Sequence, residues 1–209
     1  MKKTVLILLA LFSSACLMAQ DEQETEKESE FGLRVGAKMG FATLVQSDMV
    51  DLQGSANGGE ILFYYKMPSG TSFSLGIEDL QFKANGVAEG ITYSLDQHHF
   101  RIPLKLKYTL GILEDQLDDK LQAYAGIGVY ANTLWREKIQ TLEETYRNKH
   151  QGWNAGYSIE LGLVFEVYKD FNLGIGFETQ NDFMDMKKDD VKRKLEGITT
   201  VKFTLDLKF

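Results

Sequence analysis

His99-Phe100-Arg101-Ile102-Pro103-Leu104-Lys105-Leu106-Lys107-Tyr108-Thr109-Leu110 places Phe100, Ile102, Leu104, Leu106, Tyr108 and Leu110 on one parity. His99, Arg101, Pro103, Lys105, Lys107 and Thr109 fall on the other. A period of two sustained this long is a β-strand with one apolar and one charged face, because successive side chains of a strand point to opposite sides. The same pattern recurs on both sides of it. Phe31 to Phe41 alternates apolar residues with Gly32, Arg34, Gly36, Lys38 and Gly40. Ile61, Phe63 and Tyr65 oppose Glu60, Leu62, Tyr64 and Lys66, and Phe73, Leu75 and Ile77 oppose Ser74, Gly76 and Glu78. Further on, Trp153 to Val167 opposes Gly156, Ser158, Glu160, Gly162 and Glu166. Phe171, Leu173, Ile175 and Phe177 oppose Asn172, Gly174, Gly176 and Glu178, and Val201 to Phe209 opposes Lys202, Thr204, Asp206 and Lys208. Leu121 to Trp135 reads as a strand whose faces stay open, since small and apolar residues occupy both parities.

Eight such strands in succession predict an all-β fold, an eight-stranded antiparallel up-and-down transmembrane β-barrel. Connections near Pro68-Ser69-Gly70, Glu114 to Asp119 and Lys169-Asp170 are short. Those at Val45 to Gly58, Ala84 to Gly90, Arg136 to Gln151 and Lys187 to Gly197 are mostly longer and more charged, so they are expected as loops outside the cell, with Arg136 to Gln151 and Lys187 to Gly197 mobile. Phe31, Tyr65, Phe73, Tyr108, Tyr168, Phe171 and Phe209 then sit at the short-turn end and Phe41, Trp135, Trp153 and Phe183 at the long-loop end, as two aromatic girdles.

The chain of 209 residues begins with Lys2 and Lys3, an apolar run Val5 to Phe12 and small residues up to Ala19, which reads as a secretory leader over 1–19. Cleavage is expected at Ala19-Gln20; the rival is a lipoprotein box in which Cys16 is acylated. Residues 20–30, with Asp21, Glu22, Glu24, Glu26, Glu28 and Glu30, are too charged to bury and are expected as a disordered acidic tether, leaving 31–209 for the barrel. Cys16 is the single cysteine, so no disulfide and no thiolate metal site is available to a mature chain. A net charge of −7 argues against nucleic acid as a partner.

Phe100-Arg101-Ile102-Pro103-Leu104-Lys105-Leu106-Lys107-Tyr108 resembles the corresponding strand of the PorT-like outer-membrane barrels of the porin family. The Gly-rich first strand, Ala125-Gly126-Ile127-Gly128 and the closing strand with its terminal aromatic carry the resemblance more loosely over Phe31 to Phe209. It implies a Gram-negative outer membrane as the location, with outer-membrane lipid around the barrel. Some relatives serve secretion or gliding apparatus, which makes a membrane component of an export assembly one alternative role. Pro103 cannot donate to a ladder, so a bulge or a water-satisfied gap is expected there.

Candidates for chemistry are few. His98 and His99 lie on opposite faces of a strand and cannot chelate one metal together, and Glu160 and Glu166 are about 20 Å apart along a strand, too far to cooperate as acid and base. No catalytic, cofactor-binding or metal site is expected, and the chain is not read as an enzyme. Alternation alone does not separate a membrane barrel from a secreted lipocalin-like one with its apolar face inside. The mixture of glycines with long charges of both signs on the polar face favours the membrane arrangement. An interior charge network is then expected from Arg34, Lys38, Glu60, Glu78, Arg101, Lys105, Glu160, Glu166, Glu178, Lys202 and Asp206, joined by Lys66, Lys107 and Lys208. These would plug the barrel. Phe209 is expected to act as an assembly signal for the barrel assembly machinery during insertion. The expected role is structural or surface-interacting, with an envelope or extracellular protein as partner.

Overall fold

The computed structural model describes residues 29–47, 50–88, 90–111, 120–149, 152–188 and 191–209. The leader, the tether up to residue 28, Cys16 and the connection 114–119 lie outside the described residues. Among the described residues ten strands follow one another: β1 (Glu30–Gln46), β2 (Leu52–Lys66), β3 (Thr71–Ala88), β4 (Ile91–Gly111), β5 (Leu121–Gln140), β6 (Thr145–Lys149), β7 (Trp153–Tyr168), β8 (Phe171–Asp182), β9 (Met186–Lys188) and β10 (Val191–Lys208). Eight of them form the ring β1-β2-β3-β4-β5-β7-β8-β10, closed by antiparallel pairing of β1 with β10 from Gly32↔Lys208 onward. The short strands β6 and β9 lie off that ring, paired to β5 and β10 respectively.

Period-two alternation becomes an inside and an outside once the ring closes. On β1, Phe31, Val35, Met39 and Phe41 are exposed while Arg34, Gly36 and Lys38 are buried, and the same division runs through Phe73, Leu75 and Ile77 on β3 and Leu161, Leu163 and Phe165 on β7. The apolar face is therefore outside, which excludes the lipocalin-like arrangement in this part of the barrel. The ten-residue step from Phe31 to Phe41 covers about 33 Å of strand, and a tilt of about 40° turns that into a band about 25 Å tall, the height of a membrane's apolar layer in such barrels. On β5, Tyr124, Gly126, Tyr130, Asn132 and Leu134 are buried and Ile127, Val129 and Ala131 exposed, which settles the faces that composition left open.

Strands continue through much of what the charge pattern marks as loops. Val45–Gln46 and Leu52–Gly58 belong to β1 and β2, Ala84–Ala88 to β3, Arg136–Gln140 and Thr145–Lys149 to β5 and β6, and Met186–Lys188 and Val191–Gly197 to β9 and β10. This corrects the expectation of loops there. Beyond the band the two faces exchange polarity: on β3 the outward parity changes from Phe73, Leu75 and Ile77 to Asp79, Gln81, Lys83 and Asn85. Its inward parity changes from Ser74 and Glu78 to Leu80, Phe82 and Ala84. Two bulges reset the parity at that same boundary. On β5, Trp135 is inserted between the pairs Arg136↔His98 and Leu134↔His99. On β10, the step from Thr43↔Glu196 to Phe41↔Thr199 accommodates Gly197, whose φ of 57° suits glycine, and turns Leu195 inward. A search for apolar residues on a fixed parity therefore fails at the very residues where the strand continues.

Ala42, Leu44, Ala56, Leu80, Phe82, Ala84, Leu95, Leu195 and Ile198 meet in one apolar cluster, with Leu52, Tyr93 and Ile139 packed against it. Burying a side chain such as Leu80 or Phe82 contributes about 1.5–3 kcal/mol, which stabilises the paired strands beyond the apolar band. Pro103 faces inward, and the β3–β4 ladder has no rungs at Gly76 and Ile77 although the register is unchanged on either side. Of the two expectations for that proline, a gap is what is found.

Candidate functional site

The centre of the barrel is occupied by three lysines and four glutamates. Lys38 Nζ lies 2.9, 2.7 and 2.7 Å from the carboxylates of Glu60, Glu78 and Glu178. Lys105 Nζ lies 3.0 Å from Glu60, 2.6 Å from Glu178 and 3.7 Å from Glu160. Lys202 pairs with Glu160 and reaches Glu60 at 3.3 Å and Glu178 at 3.8 Å. Each lysine touches three carboxylates and Glu60 and Glu178 each touch three lysines, so charges that would be costly to bury singly neutralise one another.

Two further cations extend this cluster along the axis. Towards the short-turn end Arg34 holds Asp206 through two parallel bonds of 2.7 Å, from Nε and Nη2. Towards the long-loop end Arg101 bonds Gln180 and lies 3.5 Å from Glu78 and 4.0 Å from Asp182. Lys208, mostly buried, and Glu166, partly exposed, are 3.1 Å apart at the short-turn rim with Glu30, away from the central cluster. The sequence-predicted set thus divides into a central group, an Arg34–Asp206 pair, an Arg101 group and a rim pair. Phe209 is apart from all of them: its ring is exposed and its main-chain N–H donates to the Phe31 carbonyl at 3.0 Å.

Three cations rest on tyrosine rings, and each ring lies against glycine. Arg34 stands over Tyr64 at 5.4 Å, Lys107 over Tyr124 at 4.4 Å and Arg101 over Tyr130 at 4.5 Å. A Cβ at Gly32 would fall 2.3 Å from Tyr64, one at Gly156 2.3 Å from Tyr130, and one at Gly176 2.3 Å from the Tyr124 hydroxyl. The glycines leave the space in which the ring lies flat on the wall, and the cation covers its other face. Gly36 does the same for Glu60, whose Cγ would be 3.0 Å from an added Cβ, and Gly174 for Thr204 at 2.3 Å. A partly open space of about 20 Å³, room for about one water, lies at the short-turn mouth among Arg34, Tyr64, Lys107, Asn172 and Asp206.

A protein-family model described as outer membrane protein beta-barrel domain matches residues 7–209. The chain belongs to this family. Among solved structures, this outer-membrane barrel is similar to a major outer membrane protein from Thermus thermophilus, at 12% identity and TM-score 0.59, covering 88% of this chain and 100% of the other. It is also similar to the neisserial surface protein NspA, at 14% identity and TM-score 0.52, with the same coverage. At these identities the likeness is one of fold. No curated protein sequence matches the chain. The barrel is therefore an outer-membrane protein, all-β and antiparallel, with a ring of eight strands.

Sequence reading missed several interior residues of this outer-membrane barrel. Gln180 and Asp182 continue the parity of Glu178 for two more steps, and that continuation was the available signal. Tyr124 and Tyr130 lay on a strand with undecided faces. At the long-loop end Glu137 accepts bonds from Gln97 at 2.8 Å, Arg193 at 2.7 Å and Asn148 at 2.9 Å, beyond the bulge that hides its parity. His99 is buried beside Gln97 at 3.3 Å. His98 faces outward, where its Nε2 lies 2.8 Å from Arg136 and its Nδ1 3.8 Å from Asp79. Among the described residues no three His, Asp or Glu side chains converge as metal ligands would.

Proposed function

We propose that this protein is a non-enzymatic outer-membrane barrel whose role is structural and surface-interacting, with the long-loop end outside the cell and the interior closed to ions by its own side chains. The observation that carries the reading is the exchange of polarity beyond the apolar band. Strands that carry lipid-facing side chains below it carry Asp79, Gln81, Lys83 and Asn85 above it, around an apolar centre of Leu80, Phe82, Leu95 and Leu195. That is a small folded sheet built to stand in water on top of the membrane, and it makes a rigid surface for a partner rather than a set of floppy loops. NspA, of similar fold, is itself described as a surface protein. Closure is supported by the interlocked lysines and glutamates and by the small residual space at the short-turn mouth.

Two measurements test the reading. Purified protein refolded into planar bilayers is expected to show no steady conductance, and an ion-selective current would overturn the closed interior. Intact cells carrying a single cysteine at Lys83 or Glu143 are expected to react with a membrane-impermeant thiol reagent. Labelling at Ser69 instead would reverse the orientation. Deleting residues 141–146 is expected to reduce association with the extracellular partner, whereas full function without that hairpin would favour the export-assembly role.

A further inference from the structure

Above the membrane band the wall of the barrel is incomplete. β7 begins at Trp153, paired with Thr133, and β8 ends at Asp182, whereas β5 runs on to Gln140 and β10 starts at Val191. Past the ends of β7 and β8 the closed ring becomes an open sheet whose last strands are β6 on one side and β9 on the other. β9 has three residues. β6 has five, all of them exposed, and among the described residues no strand pairs with its outer edge.

The direction of that edge's hydrogen-bonding groups follows from the turn. Thr141 N–H donates to the Glu144 carbonyl at 3.0 Å, so Thr141 and Glu144 are a hydrogen-bonded pair. In an antiparallel ladder such pairs alternate with pairs that point their N–H and C=O away from each other. Ile139↔Tyr146 and Glu137↔Asn148 are then bonded, and Thr145 and Arg147 present their main-chain groups outward. An unpaired edge of this kind is a template for another strand.

Its side chains select what can be added. Arg147 lies across from Lys138, and Lys149 from Arg136, so one face of the β5–β6 hairpin carries four cations on a chain whose net charge is −7. Tyr146, half-exposed, is on the other face beside Ile139. Like edges repel, which keeps two copies of this hairpin from pairing with each other. A strand with acidic residues at alternate positions gains cross-strand partners on the cationic face and sets its intervening apolar residues beside Tyr146.

Resting on the surface-interaction reading above, we propose that the free edge of β6 is a strand-addition site for an extended acidic segment of an extracellular protein. The test uses the full chain refolded in lipid nanodiscs and a fluorescent peptide of alternating Glu and Val, read by anisotropy. Saturable binding is expected. Arg147→Pro removes an outward N–H without removing a bond between β5 and β6, and it is expected to weaken binding at least tenfold, as is N-methylation of alternate peptide bonds in the probe. Arg147→Glu is expected to weaken binding several-fold. Each variant is checked for its folded gel mobility without heating. Absence of peptide binding to the parent protein overturns the proposal. So does indifference to both Arg147→Pro and N-methylation, or binding of dextran sulfate without binding of the peptide, which would mean that the face reads polyanions without using its main chain. If deletion of 141–146 abolishes partner association on cells while Arg147→Pro leaves it intact, the surface role stands and strand addition fails.

Discussion

Replacing Arg34 by leucine should destabilise the folded barrel by about 3–5 kcal/mol, the usual cost of stranding one member of a buried ion pair. Arg34 and Asp206 are joined by two bonds of 2.7 Å, and no other cation lies within 4.0 Å of Asp206 among the described residues. With charge centres about 4 Å apart and an effective dielectric of about 20, their attraction is about 4 kcal/mol, so loss of Arg34 leaves Asp206 buried without an equal compensation. The central lysines differ. Glu160 and Glu178 keep Lys105 when Lys202 is removed, and Glu60 keeps both Lys38 and Lys105. Lys202→Met should accordingly cost less, about 1–2 kcal/mol, within the ordinary range for a single substitution. The Arg34→Leu/Asp206→Leu double variant should recover most of the loss, because two apolar side chains of comparable volume leave no charge stranded. Urea unfolding in lipid vesicles, followed by tryptophan fluorescence, of the parent, Arg34→Leu, Asp206→Leu and the double variant supplies the double-mutant cycle, with Lys202→Met measured beside them. A coupling energy near zero, or a smaller loss for Arg34→Leu than for Lys202→Met, would refute the argument that connectivity decides the cost.

Deleting Phe209 should lower the folded, outer-membrane fraction of the protein, measured by heat-shifted gel mobility; unchanged abundance would show that the closing strand needs no terminal aromatic. Gly156→Val should destabilise by about 1–3 kcal/mol through collision with the Tyr130 ring and the Asn181 carbonyl, and Tyr130→Ala in the same chain should relieve only the part due to the ring. Phe82→Ala should cost about 3–5 kcal/mol in the same unfolding assay, and it should loosen hydrogen-exchange protection in the sheet beyond the band while leaving the band protected. Equal loss of protection in both regions would mean that the upper sheet is not a separate apolar unit.

Within the membrane band, side-chain parity together with the glycines and the charges of both signs on the polar face determines the architecture. Lipid outside and a narrow interior leave one arrangement for a strand such as Phe100 to Leu110, with Ile102 and Leu104 outward and Arg101, Lys105 and Lys107 inward, and eight such strands have to close. Which charge meets which depends on strands far apart in sequence. Arg34 and Asp206 are brought together by the β1–β10 closure, and Lys38 reaches Glu178 across the interior, neither of which any local pattern encodes. The sheet beyond the band is the other case. Leu80, Phe82 and Leu195 carry a readable apolar signal, but its meaning reverses when the surrounding solvent changes from lipid to water, and the bulges at Trp135 and Gly197 each shift the parity by one. Period-two reading assumes one environment along a strand. Only the closed tertiary structure shows where these strands leave the apolar layer, because the tilt and register of the whole ring set that height together.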